Sequence, residues 1–102
     1  MATVKSIKVK AEVVFNDNAQ YSFKFPVRNP IRMSLWEKDR RYSTPSETSS
    51  DTFINLNSPA EVTIIFPSDY LDRNIIKGET FFLGTFPVAI GNATVLEVIY
   101  QP

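Results

Sequence analysis

The run KSIKVKAEVVF, residues 5–15, alternates strictly, with Ile7, Val9, Ala11, Val13 and Phe15 on one side and Lys8, Lys10 and Glu12 on the other. Successive side chains of an extended chain point to opposite faces, so one apolar face at a period of two reads as a half-buried strand. Asn16, Asp17, Asn18 and Ala19 are turn formers. After them Tyr21, Phe23 and Phe25 alternate with Ser22 and Lys24, which predicts a second strand and an opening hairpin. Pro26 and Pro30 remove two backbone donors, so the ladder breaks there and restarts as a third strand over Ile31–Trp36.

Further along, the signals thin out. Charges at 37–41 and the polar stretch 43–50, which includes Pro45, predict an exposed loop, the most mobile segment of the chain. Residues 51–56 read as a short fourth strand and 60–66 as a fifth, with Val62, Ile64 and Phe66 on one face and Pro67 as its stop. Residues 68–76 read as loop, with Ser68 and Asp69 able to start at most a single helical turn. Residues 79–83 and 94–100 supply the last strands, among which Gly78, Gly84 and Gly91 mark turns or positive φ. No segment sustains a helical period. The expectation is one all-β domain over residues 1–102, a small closed antiparallel barrel of six or seven strands.

Composition fits that expectation and removes much chemistry. The 102 residues are 43% hydrophobic and 22% charged, with eight Phe, four Tyr and one Trp, a balance suited to a folded chain built on pleated, aromatic-rich surfaces. With no His and no Cys, there is no thiolate nucleophile, no Cys/His zinc site, no disulfide and no hydroxyl activated by imidazole. The first glycine is Gly78, so no glycine-rich loop cradles a phosphate. The nearest carboxylate pairs, Asp69 with Asp72 and Glu37 with Asp39, lie in polar stretches that promise no burial to split their pKa values. A non-enzymatic chain without metal or cofactor is expected. No apolar run approaches the roughly 20 residues of a membrane span, and residues 1–10 lack the apolar stretch of a leader, so a cytoplasmic location is expected.

The zero net charge hides an asymmetry. Residues 1–50 hold nine Lys/Arg against five Asp/Glu, while 51–102 hold two against six. In a barrel the two halves interleave, so these charges read either as solvated strand faces or as a basic docking patch. Trp36 alternates with Ile31, Met33 and Leu35 and so falls on the opposite face, beside Arg32 and Ser34. An outward Trp near Arg32, Arg40, Arg41 and Tyr42 is the composition of an interface anchor; a covered outer face or a bulge turning it inward is the alternative.

The C-terminal stretch carries a family resemblance. Gly78, Phe81, Leu83, Ile90, Gly91 and Val95 fit, without a gap, the pattern Gly-x-Arg-Phe-x-Ile-Arg-Glu-Gly-x-Arg-Thr-Val-Gly-x-Gly-x-Val that closes the C-terminal β-barrel domain of elongation factor Tu. Lys10-Ala11-Glu12-Val13 resembles that domain's opening strand, Pro30 its Tyr-Arg-Pro turn, and residues 60–66 the strand before the final hairpin. The resemblance implies the same barrel fold, here without the family's GTPase domain. The family's charged Arg-Glu-Gly-x-Arg stretch, which faces aminoacyl-tRNA, is replaced by Gly84, Thr85, Phe86, Pro87 and Val88. The turn arginine is Asn29, and a Gly-Gly-Arg segment is shortened to Asn18, Ala19 and Gln20.

Those replacements add stickiness rather than charge. The function expected is therefore a non-catalytic protein-binding module using Trp36, Arg32, Phe86 and Val88. Its partner would belong to the translation machinery, or be a toxin that recognises an elongation-factor-like surface. The alternative is an RNA- or tRNA-binding accessory domain using Lys8, Lys10, Arg32, Arg40 and Arg41.

Overall fold

A computed structural model describes residues 5–28 and 30–102. Residues 1–4, part of the N-terminal stretch that lacks a leader's apolar run, and Asn29, which stands where the resembled pattern has its turn arginine, lie outside the described residues. The alternating run forms β1 (Ser6–Phe15), and its five inward side chains are all buried. Five more strands follow: β2 (Ile31–Trp36), β3 (Thr44–Ser49), β4 (Ala60–Pro67), β5 (Thr80–Thr85) and β6 (Val88–Tyr100). All pair antiparallel, and the order β1-β4-β3-β2-β5-β6 closes on itself. The closed antiparallel barrel read from the sequence is the observed architecture, with six strands.

The core is built row by row across the ladders. Ile7 stands opposite Phe66, Val9 opposite Ile64 and Ala11 opposite Val62, so apolar faces meet in register between β1 and β4. On the other wall Phe81 stands opposite Ala93 and Leu83 opposite Gly91. Gly91 answers a packing demand: a Cβ there would lie 2.7 Å from Cδ1 of Phe15, inside van der Waals contact. β5 and β6 form a tight hairpin in which Thr85 pairs with Val88, and its ladder shifts between Leu83 and Gly84. At that shift a Cβ on Gly84 would lie 2.3 Å from the Val88 carbonyl oxygen. β6 also slips twice against β1, between Lys8 and Val9 and between Lys10 and Ala11, and such bulges let a 13-residue strand bend around a small barrel.

The structure corrects several expectations. The opening hairpin does not form, because β1 takes β4 and β6 as its neighbours. The Asx-rich turn instead winds into a 3-10 helix, Asp17–Tyr21, capped by the Asn16 side chain, which accepts from the Asn18 amide at 2.9 Å. Phe23 and Phe25 then lie half-buried over the core as a plug, with Phe25 5.7 Å from Phe15 between ring centroids. Residues 43–50 are no loop, since they contain β3. Its inward side chains are Thr44, Ser46 and Thr48, all buried although polar. Residues 51–56 yield only isolated bridges: Ile54 to Val27, with backbone bonds of 2.9 and 2.6 Å, and Leu56 to Phe15. Residues 68–76 hold one short 3-10 turn, Ser68–Tyr70.

The connections gather at two poles. Where β1 ends lie the 3-10 helix Asp17–Tyr21, residues 22–28, residues 50–59 and the β5–β6 turn, tied together by the bonds from the Asn16 amide to the Ile90 carbonyl and from the Asn57 amide to the Phe15 carbonyl. Where β1 begins lie the β2–β3 connection, the β4–β5 connection and Gln101.

Candidate functional site

Trp36 is the first correction here. Register places it opposite Phe82, one residue from the inward Leu35–Leu83 pair, so it lies on the outer face of the barrel wall as alternation predicts. Yet it is only 5% exposed. Phe86 packs edge-on against it at 5.2 Å and Phe82 lies 6.0 Å away, so the outer face is covered by a second aromatic layer folded down from the β5–β6 turn. Trp36 anchors the wall; it does not present a surface. Phe86 is half-buried by the same packing, which leaves Val88 as the exposed apolar member of that turn.

Arg32 projects from β2 into solvent, 86% exposed, with Nε 3.3 Å from Oε2 of Glu47 across the β2–β3 ladder. It borders a groove of about 450 Å³ between β2 and β5, whose other lining includes Phe23, Met33, Gly84 and Thr85. Arg32 and the β5–β6 hairpin therefore share one groove, while Val88 crowns the turn beyond it.

The basic set does not form a single field. Lys8 and Lys10 stand on the outer face of β1, Arg32 on β2, and Arg40 and Arg41 in the β2–β3 connection. Lys10 Nζ lies 3.2 Å from Glu61, Arg32 reaches Glu47, and Arg40 Nε donates to Glu37 at 2.8 Å. Three of the five cations are thus offset by a carboxylate within contact. Salt bridges between Lys10 and Glu61, and between Arg73 and Glu37, join the basic half of the sequence to the acidic half.

A polar network at the pole where β1 begins went unread in the sequence. Glu37 accepts from both Arg40 and Arg73, and Arg73 Nη1 reaches Glu79 at 2.6 Å. The buried Tyr70 hydroxyl accepts from the Glu37 amide and donates to the Tyr42 carbonyl, each at 3.1 Å. The Arg40 guanidinium sits 5.2 Å over the Tyr70 ring and 5.4 Å over that of Tyr42. Gln101 joins from the end of β6, accepting from the Ile75 amide and donating to the Arg73 carbonyl, both at 2.8 Å.

The electrostatics follow from these contacts. The hydrogen bond to Glu37 raises the Arg40 pKa above the usual guanidinium value. Burial opposes the Arg73 charge, but Glu37 and Glu79 together still raise its pKa. Burial pushes the Tyr70 phenol up, against the pull of the amide bonded to it. Glu37, one of the two carboxylate pairs singled out from sequence, is thereby committed to two guanidiniums. Nothing in the spacing could reveal this ladder, because Glu37 and Arg73 are 36 residues apart. Among the described residues no three His, Cys, Asp or Glu gather as a metal would require, and no helix is long and apolar enough to cross a membrane.

No protein-family model matches the chain, and no curated protein matches it in sequence.

Proposed function

We propose that this chain is a non-catalytic binding module that engages a protein partner through the pole where β1 ends. The observation that carries the reading is that three connections of that pole each leave a large apolar side chain in water, and the groove that Arg32 borders reaches that pole at Phe23. Tyr21 is 83% exposed, Phe53 55% and Val88 60%, each on a different connection of that pole. Side chains of this size left in water on converging connections are the usual content of an interface core. Arg28, whose guanidinium sits 5.7 Å over the Phe53 ring, and Arg32 beside the groove supply a charged rim.

The resemblance to the C-terminal barrel domain of elongation factor Tu supports this reading at the level of fold and turn positions, and fold alone does not carry function. Within it, the partner is a cytoplasmic protein of the translation machinery or a toxin that recognises an elongation-factor-like surface. Val88→Asp and Tyr21→Ser test the assignment. Both sites are exposed, so circular dichroism should be unchanged while capture of the partner from lysate falls at least tenfold. Unchanged capture would remove the surface from consideration. Retention of bulk tRNA on filters, falling steeply from low to high salt, would favour RNA binding through Lys8 and Arg41 instead.

A further inference from the structure

β2 and β3 pair with each other at five positions, from Ile31 opposite Thr48 to Leu35 opposite Thr44. Their outer edges are far less secured. β2 meets β5 only at Ser34, Leu35 and Trp36, and β3 meets β4 only at Glu47, Thr48 and Ser49. By contrast β1 keeps eight register pairs with β4 and eight with β6. Because β2 and β3 run antiparallel, these two short attachments sit at diagonal corners of the hairpin. The other corners border open grooves of about 450 and 360 Å³, and both are lined by Arg32, Pro45 and Ser46. Pro45 has no N–H to offer a neighbour there.

β3's share of the inner face is weakly held as well, while β2 buries Ile31 and Leu35 in the core. Where β1 and β4 contribute rows of Val, Ile and Phe, β3 contributes Thr44, Ser46 and Thr48. Ser46 Oγ donates to the Met33 carbonyl at 2.8 Å, a bond internal to the hairpin that survives its detachment. Thr48 Oγ1 is buried with no hydrogen-bond partner among the described residues, so separation from the core rehydrates it. What binds the far end is Trp36 packed on Phe82 and Phe86, together with the network of the β2–β3 connection: Glu37 to Arg73, and Tyr70 to the Glu37 amide and the Tyr42 carbonyl.

We propose that the β2–β3 hairpin opens as a unit from the rest of the barrel, and that the Glu37–Arg73 ion pair with Tyr70 is the latch that holds it. The four strands left behind, β4-β1-β6-β5, remain a continuous sheet with eight, eight and six register pairs. Opening frees the backbone edges of β4 and β5, which are ready to pair with another strand.

Native-state hydrogen exchange along a guanidinium series tests this. Amides bonded across the β2–β5 and β3–β4 ladders should exchange at least tenfold faster than those bonded between β1 and β6, with a shallower dependence on denaturant. Glu37→Gln should accelerate these seam amides by the same factor as the slowest amides, since the latch is broken in both openings. Thr48→Val removes an unpartnered hydroxyl without changing shape, and should slow both classes by one common factor. Equal rates and slopes in all six strands would show a barrel that opens only as a whole and overturn the proposal. A Glu37→Gln effect confined to β1 and β6 would show that the hairpin opens with its contacts to Arg73 intact and overturn the latch.

Discussion

Trp36 shows how far a single residue's reading reaches. Alternation gives the direction of its side chain correctly, and Phe86, fifty positions on, decides its burial. No local pattern can carry that second fact, because it depends on how one turn folds onto one wall. Truncating a buried Trp costs about 3–5 kcal/mol against a total stability of about 5–15 kcal/mol. Trp36→Ala should therefore shift the urea midpoint strongly or abolish the cooperative transition followed by circular dichroism. Tyr70 gives a pH prediction. Its phenol is raised above the ordinary value of 10.0, burial being the main cause. A raised group stabilises the fold fully below its unfolded pKa, and that contribution is lost as pH climbs through the folded value. Stability measured by denaturant should thus fall above about pH 10, and less steeply in Tyr70→Phe, which has no proton to lose.

Strands with apolar inward faces are legible, and β1, β2, β4 and β5 can be read directly from alternation. β3 escapes because its inward positions are Thr and Ser, which look like loop residues although Thr suits a pleated surface. The opposite error arises at 21–25, where alternating aromatics imitate a strand but serve as a lid over Phe15. Period two marks which residues want burial; a strand also needs a free neighbouring edge, and β1 has already spent both of its own on β4 and β6. In the β5–β6 hairpin the ladder slips at Gly84, where the Val88 carbonyl closes in. Gly84→Ala should force that slip apart and cost about 1–3 kcal/mol, seen as a lowered midpoint in thermal melts. The proposed binding pole is partly legible: Val88 stands out from sequence, whereas Tyr21 and Phe53 fall in segments misread as strands.

The molecule as a whole is closed by its most distant pairing, β1 with β6, which brings residues 8–15 against 91–100. Contacts so far apart in sequence must bear the entropy of loop closure before they stabilise anything, so folding on the order of milliseconds to seconds is expected. The single Trp reports it directly in a stopped-flow refolding trace, and a microsecond phase carrying the full amplitude would contradict the closure seen here. Charge pairing is likewise a property of the assembled barrel, since Lys10 meets Glu61 and Arg73 meets Glu37 only once the strands are in order. The same closure sets Lys8 directly opposite Tyr100, a separation of about 5 Å between facing Cα atoms. First and last strands so close can be stitched by a few glycines and the chain re-cut between Asn57 and Ser58, in an exposed turn of the opposite pole. Such a circular permutant turns the eight-pair β1–β6 closure into a local hairpin and makes the three-pair β3–β4 ladder the most distant one instead, so it should reach the same barrel faster than the natural order does.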